Sequence, residues 1–187
     1  MTDFNQLNNS IRKAPVLSPG IEETKQMLAS FRYIVTIDLS QFYYQNSVDR
    51  TISQYLGVIH PYKGTLVYTV SPMGLRGSSE NSYKRLTRIF GDMQRDNKLC
   101  RQADALIVGG QDLHSLFENL KEVFSRLRSS NMTIKPSKLE ICPAKTTLFG
   151  WEYQDQSWKP GPHKVNPLVI AEFPTTIKHD EILVGSK

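Results

Sequence analysis

Asp38 closes the run Tyr33-Ile34-Val35-Thr36-Ile37, and Asp104 stands just before Leu106-Ile107-Val108-Gly109-Gly110. Each carboxylate therefore sits at the edge of an apolar, β-branched stretch that reads as a buried strand. If the two strands are neighbours, the carboxylates converge. Magnesium takes oxygen ligands, commonly one or two carboxylates with phosphates and water, so such a pair could seat a catalytic cation together with a nucleotide triphosphate. A plainer role fits the same spacing: two strand-end aspartates held by backbone N–H groups. Spacing alone leaves both readings open. His60, His114, His163, His179, Cys100 and Cys142 show no metal-ligand spacing, and two cysteines cannot build a disulfide framework.

The elements that must position these carboxylates follow from the hydrophobic period. Ser18-Pro19 reads as an N-cap and first helical residue opening a short helix to about Ala29. Residues 33–39 form the first strand. Tyr55-Leu56-Gly57-Val58 and Leu66-Val67-Tyr68 flank the turn chemistry of Pro61-Tyr62-Lys63-Gly64, which predicts a hairpin. Ser78-Ser79-Glu80 caps a helix over residues 78–96, with Tyr83, Leu86, Ile89, Phe90 and Met93 on its apolar face and Lys84, Arg88 and Arg95 together on another. Leu99-Cys100-Arg101 and Leu106-Ile107-Val108 predict a second hairpin with Asp104 at its tip. Asp112 caps a further helix, whose expected apolar face is Leu113, Leu116, Phe117, Leu120, Phe124 and Leu127. A β-rich section follows, with Ile141, Leu148-Phe149-Gly150-Trp151 and Trp158. This order predicts an α+β fold in which an antiparallel sheet carries helices packed on one face.

At 187 residues the chain fits one domain, with 39% apolar and 22% charged residues and no low-complexity tract. It has no apolar run of about 18 residues and no basic, apolar leader at its start. The expectation is an intracellular protein, cytoplasmic or nuclear, with no membrane partner. The net charge of +5 is too small to decide on a polyanion, but its distribution is uneven. Arg76, Lys84, Arg85, Arg88, Arg95, Lys98 and Arg101 make one basic block, and Lys121, Arg126, Arg128, Lys135, Lys138 and Lys145 make another. Asp104, Asp112 and Glu118 lie between them. Carboxylates between basic blocks suit a nucleic acid lying along the protein with cations held at one point, and they equally suit solvated helix faces.

Four segments taken together resemble the successive motifs of a reverse transcriptase from a long-terminal-repeat retrotransposon, BEL/Pao- or gypsy-like. They are residues 36–45 (Thr-Ile-Asp-Leu-Ser-Gln-Phe-Tyr-Tyr-Gln), 72–80 (Pro-Met-Gly-Leu-Arg-Gly-Ser-Ser-Glu), 103–110 (Ala-Asp-Ala-Leu-Ile-Val-Gly-Gly) and 148–151 (Leu-Phe-Gly-Trp). The resemblance implies a polymerase palm with partial fingers: fingers at about 1–30 and 45–80, palm at about 31–44 and 81–160, and the start of a thumb or connection at about 161–187. By resemblance Asp38 and Asp104 are the metal-binding carboxylates, for two Mg2+ ions or Mn2+, and Lys138 assists the departing pyrophosphate. Tyr43 matches the steric gate that favours dNTP, which on its own residues reads as a core aromatic. Met73, Gly74 and Arg76 belong to the turn against the incoming nucleotide and template, and Phe149-Gly150 resembles the primer grip. Lys84, Arg88 and Arg95, with Arg126, Arg128 and Lys135, are candidates for holding the phosphates of an RNA or DNA template with its primer.

The match departs from the family at defined places. The Tyr-x-Asp-Asp signature stands here as Gln102-Ala103-Asp104-Ala105, so the second Asp is Ala, and metal affinity should fall. Asp3-Phe4-Asn5-Gln6-Leu7-Asn8 has Asn5 where the family has Arg. The family's fingertip hairpin, thumb and RNase H regions have no counterpart in these residues, so the expectation is a truncated domain completed by other polyprotein parts or a second chain. Two functions follow: an RNA-directed DNA polymerase domain, impaired or inactive as an isolated fragment, or a non-catalytic nucleic-acid-binding remnant.

Overall fold

The computed structural model describes residues 3–12, 20–148, 151–154 and 157–161. The chain forms two compact units, 1–142 and 143–187. In the first unit the order is α1 (Asn5–Ser10), α2 (Ile21–Ala29), β1 (Tyr33–Asp38), α3 (Arg50–Ser53), β2 (Gly57–His60), β3 (Gly64–Val67), α4 (Ser78–Arg95), β4 (Leu99–Gln102), β5 (Ala105–Gly110), α5 (Leu113–Ser129) and β6 (Glu140–Ile141). Short 3-10 turns cover Phe42–Gln45 and Pro136–Lys138. The second unit contains a three-stranded antiparallel meander, β7 (Thr146–Leu148), β8 (Trp151–Gln154) and β9 (Ser157–Pro160).

The sheet of the first unit runs β4-β5-β1-β6, antiparallel throughout. Strand alternation divides its side chains between two faces. Val35 and Ile37 of β1 share one face with Leu106 and Val108 of β5 and Leu99 of β4. These are buried in one cluster with Leu86, Phe90 and Met93 of α4 and Leu116, Val123 and Leu127 of α5. Ile34, Thr36 and Asp38 point to the opposite face with Cys100, Ala105 and Ile107. The α+β architecture with helices over one face is as the sequence implies. One more helix lies on the second face: α2 leads into Phe31, whose ring occupies the space a side chain at Gly109 would need, and the Cys100 thiol meets Thr24 of α2. Burial raises the pKa of that thiol.

The adjacent glycines at the end of β5 serve the two faces separately. A Cβ at Gly109 would lie 2.0 Å from the Phe31 ring, and one at Gly110 would lie 2.5 Å from the Leu116 backbone nitrogen. Each glycine thus lets one helical segment approach the sheet closely.

Three local expectations change. The cap of α2 is Gly20, whose N–H donates to the Glu23 carboxylate; Ser18 and Pro19 lie outside the described residues. Helix α4 starts after Gly77, with Ser78 turned inward as a buried side chain and not as a cap. In α5 the cap is Asp112 as expected, accepting from the Ser115 N–H at 2.7 Å. Its buried stripe, however, is Leu116, Val123 and Leu127, and Leu113, Phe117 and Phe124 are exposed. At about 100° per residue the exposed stripe lies about 80° around the helix from the buried one. Docking of Leu116 against Gly110 fixes which stripe faces the sheet.

Candidate active site

Asp38 and Asp104 are brought together by the pairing of β1 with β5. Asp38 is the last residue of β1 and lies directly across from Ala105. The next backbone bond runs from the Leu39 N–H to the Asp104 carbonyl at 2.8 Å. Asp104 sits in the two-residue turn between Gln102 and Ala105, and the turn's first residue, Ala103, has φ of 46°. The left-handed region is costly for a residue with a Cβ, about 1–2 kcal/mol. The hairpin therefore holds its tip in a strained conformation, as tight turns at functional sites often do. Asp104 is exposed and Asp38 half-buried.

On its other side, Asp38 faces the segment leading to β6. Leu39 pairs with Ile134 and Thr36 pairs with Glu140. Between those two pairings the turn Pro136–Lys138 bulges outward. The Lys135 N–H donates to the Asp38 carbonyl at 2.8 Å, which anchors the turn. The bulge delivers the Lys138 ammonium to the Asp38 carboxylate, Nζ to Oδ2 at 2.8 Å. Lys138 has its pKa raised, first by the hydrogen bond to Asp38, then by the charges of Asp38 and Asp104. The Thr36 hydroxyl donates to Glu140 at 3.3 Å, which places a further carboxylate one pair along the same face.

Tyr43 lies in the 3-10 turn that follows β1, half-buried, with its hydroxyl 3.2 Å from the Ser79 hydroxyl at the start of α4. It packs against the core cluster and tilts against Phe42, as a core aromatic does. The turn is held by residues the sequence reading did not single out. The buried Asn46 amide donates to the carbonyls of Phe42 and Tyr43, at 3.0 and 3.2 Å, and to the Ser82 hydroxyl at 2.8 Å. Ser82 donates to the Ser78 carbonyl, and the Ser78 hydroxyl bonds to Ser71 and Pro72. Arg85 donates to the Gln45 carbonyl, to Asn46 and to the Ser130 carbonyl. The signal available in sequence was the density of Ser and Asn on what should be an apolar helix face.

The turn at 72–77 has positive φ at Gly74 (87°) and Gly77 (93°), and Met73 is exposed. Asn8 clamps it from α1: its amide donates to the Gly74 carbonyl at 2.9 Å and accepts from the Arg76 N–H at 2.7 Å. The Arg76 guanidinium donates to the Asn8 and Ile11 carbonyls. Arg76 thus ties α1 to the turn that the resemblance sets against the incoming nucleotide and template.

Lys135 and Lys138 meet Asp38, and the basic residues of α4 do not. Lys84, Arg88 and Arg95 lie on the side of α4 opposite Leu86 and Phe90, so the helix and the sheet separate them from the face bearing Asp38. Lys84 is paired with Glu80. Arg126 forms a fork with Asp92, both bonds at 2.6 Å, and also binds Glu122 and the Ile89 carbonyl. That arginine is neutralised within the fold, with the Asp92 carboxyl held well below its ordinary range by the Arg126 hydrogen bonds. Arg128 and Lys135 are exposed. Phe149 and Gly150 lie outside the described residues.

No group of three or more His, Cys, Asp or Glu side chains that could hold a metal ion occurs among the described residues. Two carboxylates at the ends of neighbouring strands nevertheless suit a cation whose remaining ligands are phosphate and water.

Residues 1–153 match the family described as reverse transcriptase (RNA-dependent DNA polymerase), and the chain belongs to that family. Membership implies divalent-metal-dependent chemistry in general terms. Among curated relatives, the retrovirus-related Pol polyproteins of the Drosophila melanogaster transposons 412 and 297 are each 24% identical, over 95% and 98% of this chain. The chain spans 14% and 17% of their lengths. The fold is similar to the foamy viral protease-reverse transcriptase solved with double-stranded DNA, with a TM-score of 0.75 and 14% identity over 98% of this chain and 32% of that one. The same viral protein solved with an RNA/DNA hybrid gives a TM-score of 0.71, covering 98% and 25%.

Proposed function

We propose that this chain is the catalytic palm of an RNA-directed DNA polymerase, transferring a nucleotide from dNTP to a primer 3′-OH, with weakened metal affinity. The observation that carries the reading is that the β1/β5 pairing sets Asp38, on the sheet face away from α4 and α5, beside the hairpin tip that bears Asp104. Asp38 and Asp104 would hold Mg2+ or Mn2+. Such a cation supplies Lewis-acid stabilisation of the attacking and leaving oxygens. The chain's own residues orient and select. Tyr43, with its hydroxyl beside Ser79 and its carbonyl held by Asn46, would be the residue that disfavours a ribose 2′-OH. Gly74, lacking a side chain, lets the 72–77 turn approach a base pair. Lys138 offers an ammonium to a departing phosphate.

Template, primer and dNTP are the partners this reading requires, and complexes of the foamy viral protein with DNA and with an RNA/DNA hybrid support it. Other parts of a longer polyprotein, or a second chain, would complete the cleft. A second reading, nucleic-acid binding without synthesis, is favoured by one observation: Ala105, directly across from Asp38, adds no carboxylate. Primer extension on poly(rA)/oligo(dT) with Mg2+ or Mn2+ separates the two. Incorporation abolished by Asp38→Asn supports the polymerase. Salt-sensitive binding without extension, unchanged by that substitution, supports the second reading.

A further inference from the structure

Asp38 has unequal neighbours. Across β5 stands Ala105, which contributes neither charge nor donor. On the β6 side stands Lys138, its ammonium 2.8 Å from Oδ2. The Asp38 side chain is 19% exposed and that of Lys138 is 56% exposed, so the carboxylate end of the pair is the more desolvated.

The fold, and not a chance rotamer, puts the lysine there. Its turn is closed by the Lys138 N–H to the Lys135 carbonyl at 3.0 Å and the Leu139 N–H to the Pro136 carbonyl at 3.1 Å. The turn is pinned at both ends to β1, through Leu39 with Ile134 and Thr36 with Glu140. A charge-assisted hydrogen bond occupies one of the two carboxylate oxygens on which a divalent cation would draw.

We propose that Lys138 is a built-in counter-ion that competes with divalent metal for the Asp38 carboxylate, so that the chain binds metal weakly until a phosphate-bearing ligand draws the ammonium away. The inference rests on the reading of Asp38 and Asp104 as metal carboxylates. With a second Asp at position 105, one carboxylate could hold metal while the other held the ammonium. With Ala105 the two cations contend for Asp38, and Asp104 is left as the second ligand at the hairpin tip. The device also links binding to chemistry: the ammonium released from Asp38 is positioned to meet the phosphate that arrives with the metal.

The test is Mn2+ binding to the chain in the absence of nucleotide and nucleic acid, read from the electron paramagnetic resonance signal of free aqueous Mn2+. Circular dichroism on each variant confirms the fold. Removing the charge with Lys138→Met, or with Lys138→Gln as a second variant, should tighten Mn2+ binding by up to about fivefold, the upper end expected for loss of a partly exposed competing ion pair. Lys138→Arg, which keeps the charge, should stay near the wild-type affinity. The tightening should vanish when Asp38→Asn is combined with Lys138→Met. If Lys138→Met and Lys138→Gln bind Mn2+ no tighter than wild type while Asp38→Asn weakens binding, the competition is overturned and the metal assignment stands. Equal tightening by Lys138→Arg would also overturn it, because charge would not be the cause. If Asp38→Asn leaves binding unchanged in both backgrounds, the metal reading falls and the inference falls with it.

Discussion

Gly110→Ala should destabilise the first unit strongly, and its neighbours supply the scale. The added Cβ would sit 2.5 Å from the Leu116 nitrogen, 2.8 Å from its Cα and 2.9 Å from its Cβ. Ordinary contact at such atoms begins at about 3.4–4 Å, so the start of α5 would have to retreat by about 1 Å. The obstacle is backbone, and no rotamer change relieves it. Overpacking of this kind costs about 1–3 kcal/mol, more where the backbone is rigid. For a protein of this size that is a fall in Tm of roughly 2–12 °C, at about 2–4 °C per kcal/mol. Gly109→Ala meets the Phe31 ring instead, at 2.0–2.4 Å. It should be comparably harmful alone and should cost little further in a Phe31→Ala background, where the clashing ring atoms are gone. Gly57→Ala is the control. Its Cβ would lie 3.6 Å from a Thr65 methyl, an ordinary contact, and its effect should stay within about 0.5 kcal/mol. Thermal and urea unfolding of the three glycine variants, with the Gly109 and Gly110 substitutions repeated in the Phe31→Ala background, decides the matter. If Gly110→Ala unfolds with Gly57→Ala, or if the Phe31→Ala background absorbs Gly110→Ala as well as it absorbs Gly109→Ala, the assignment of one glycine to each face of the sheet is wrong.

Three further expectations concern the site and its supports. Ala105→Asp places a carboxylate directly opposite Asp38; without metal it should cost about 0.2–1 kcal/mol by like-charge repulsion, and Mg2+ should reverse that loss in a thermal-shift titration. Asn46→Ala removes the amide that holds the Phe42 and Tyr43 carbonyls, and if extension is measurable it should lower the preference for dGTP over GTP in the same direction as Tyr43→Ala, only less. The carboxyl of Asp92 is held below its ordinary value by Arg126, so the pair contributes above about pH 4 and its contribution fades as pH falls further. Asp92→Asn should therefore lose about 1 kcal/mol at pH 7, a figure set by the exposure of the pair, and the difference from wild type should shrink on acidification, as followed by urea unfolding at several pH values.

Much of what positions the two carboxylates was legible because it is local. The β-branched run before Asp38, the Gly109-Gly110 pair and the Asp112 cap each follow from residues within one turn or strand, and they fall where expected. The β2/β3 hairpin closes with Val58 opposite Leu66, as its turn chemistry implies. What was not legible depends on partners far away in the chain. A helix with apolar residues on two adjacent stripes cannot say which one faces the sheet, so Val123 went unnoticed and Phe117 and Phe124 were assigned to the core. Counting basic residues cannot show that Arg126 is neutralised by Asp92, or that Arg76 binds the end of α1. The ion pair of Asp38 with Lys138 joins residues 100 apart and leaves no local pattern.

Both faces of the central sheet bury apolar side chains, Ile34, Cys100 and Ile107 on the one that meets α2, and they differ at the end that bears Asp38, on which the site depends. On the face covered by α4 and α5 nearly every position is aliphatic, and the one ionised side chain of β4 there, Arg101, is buried with neutral partners: Gln94 at 2.7 Å, Thr87 at 3.1 Å and the Tyr83 ring at 4.9 Å. Burial without a carboxylate lowers the pKa of that guanidinium, the cost that unpaired charge meets in a closed layer. On the other face Asp38 keeps access to solvent and an ammonium partner. A shift of the β1 register by one residue would exchange the faces, burying Asp38 beside Leu106 and exposing Ile37. Alternation along β1, more than any single contact, is therefore what keeps a carboxylate available for chemistry, and the aliphatic residues at 35 and 37 enforce it although neither touches the site.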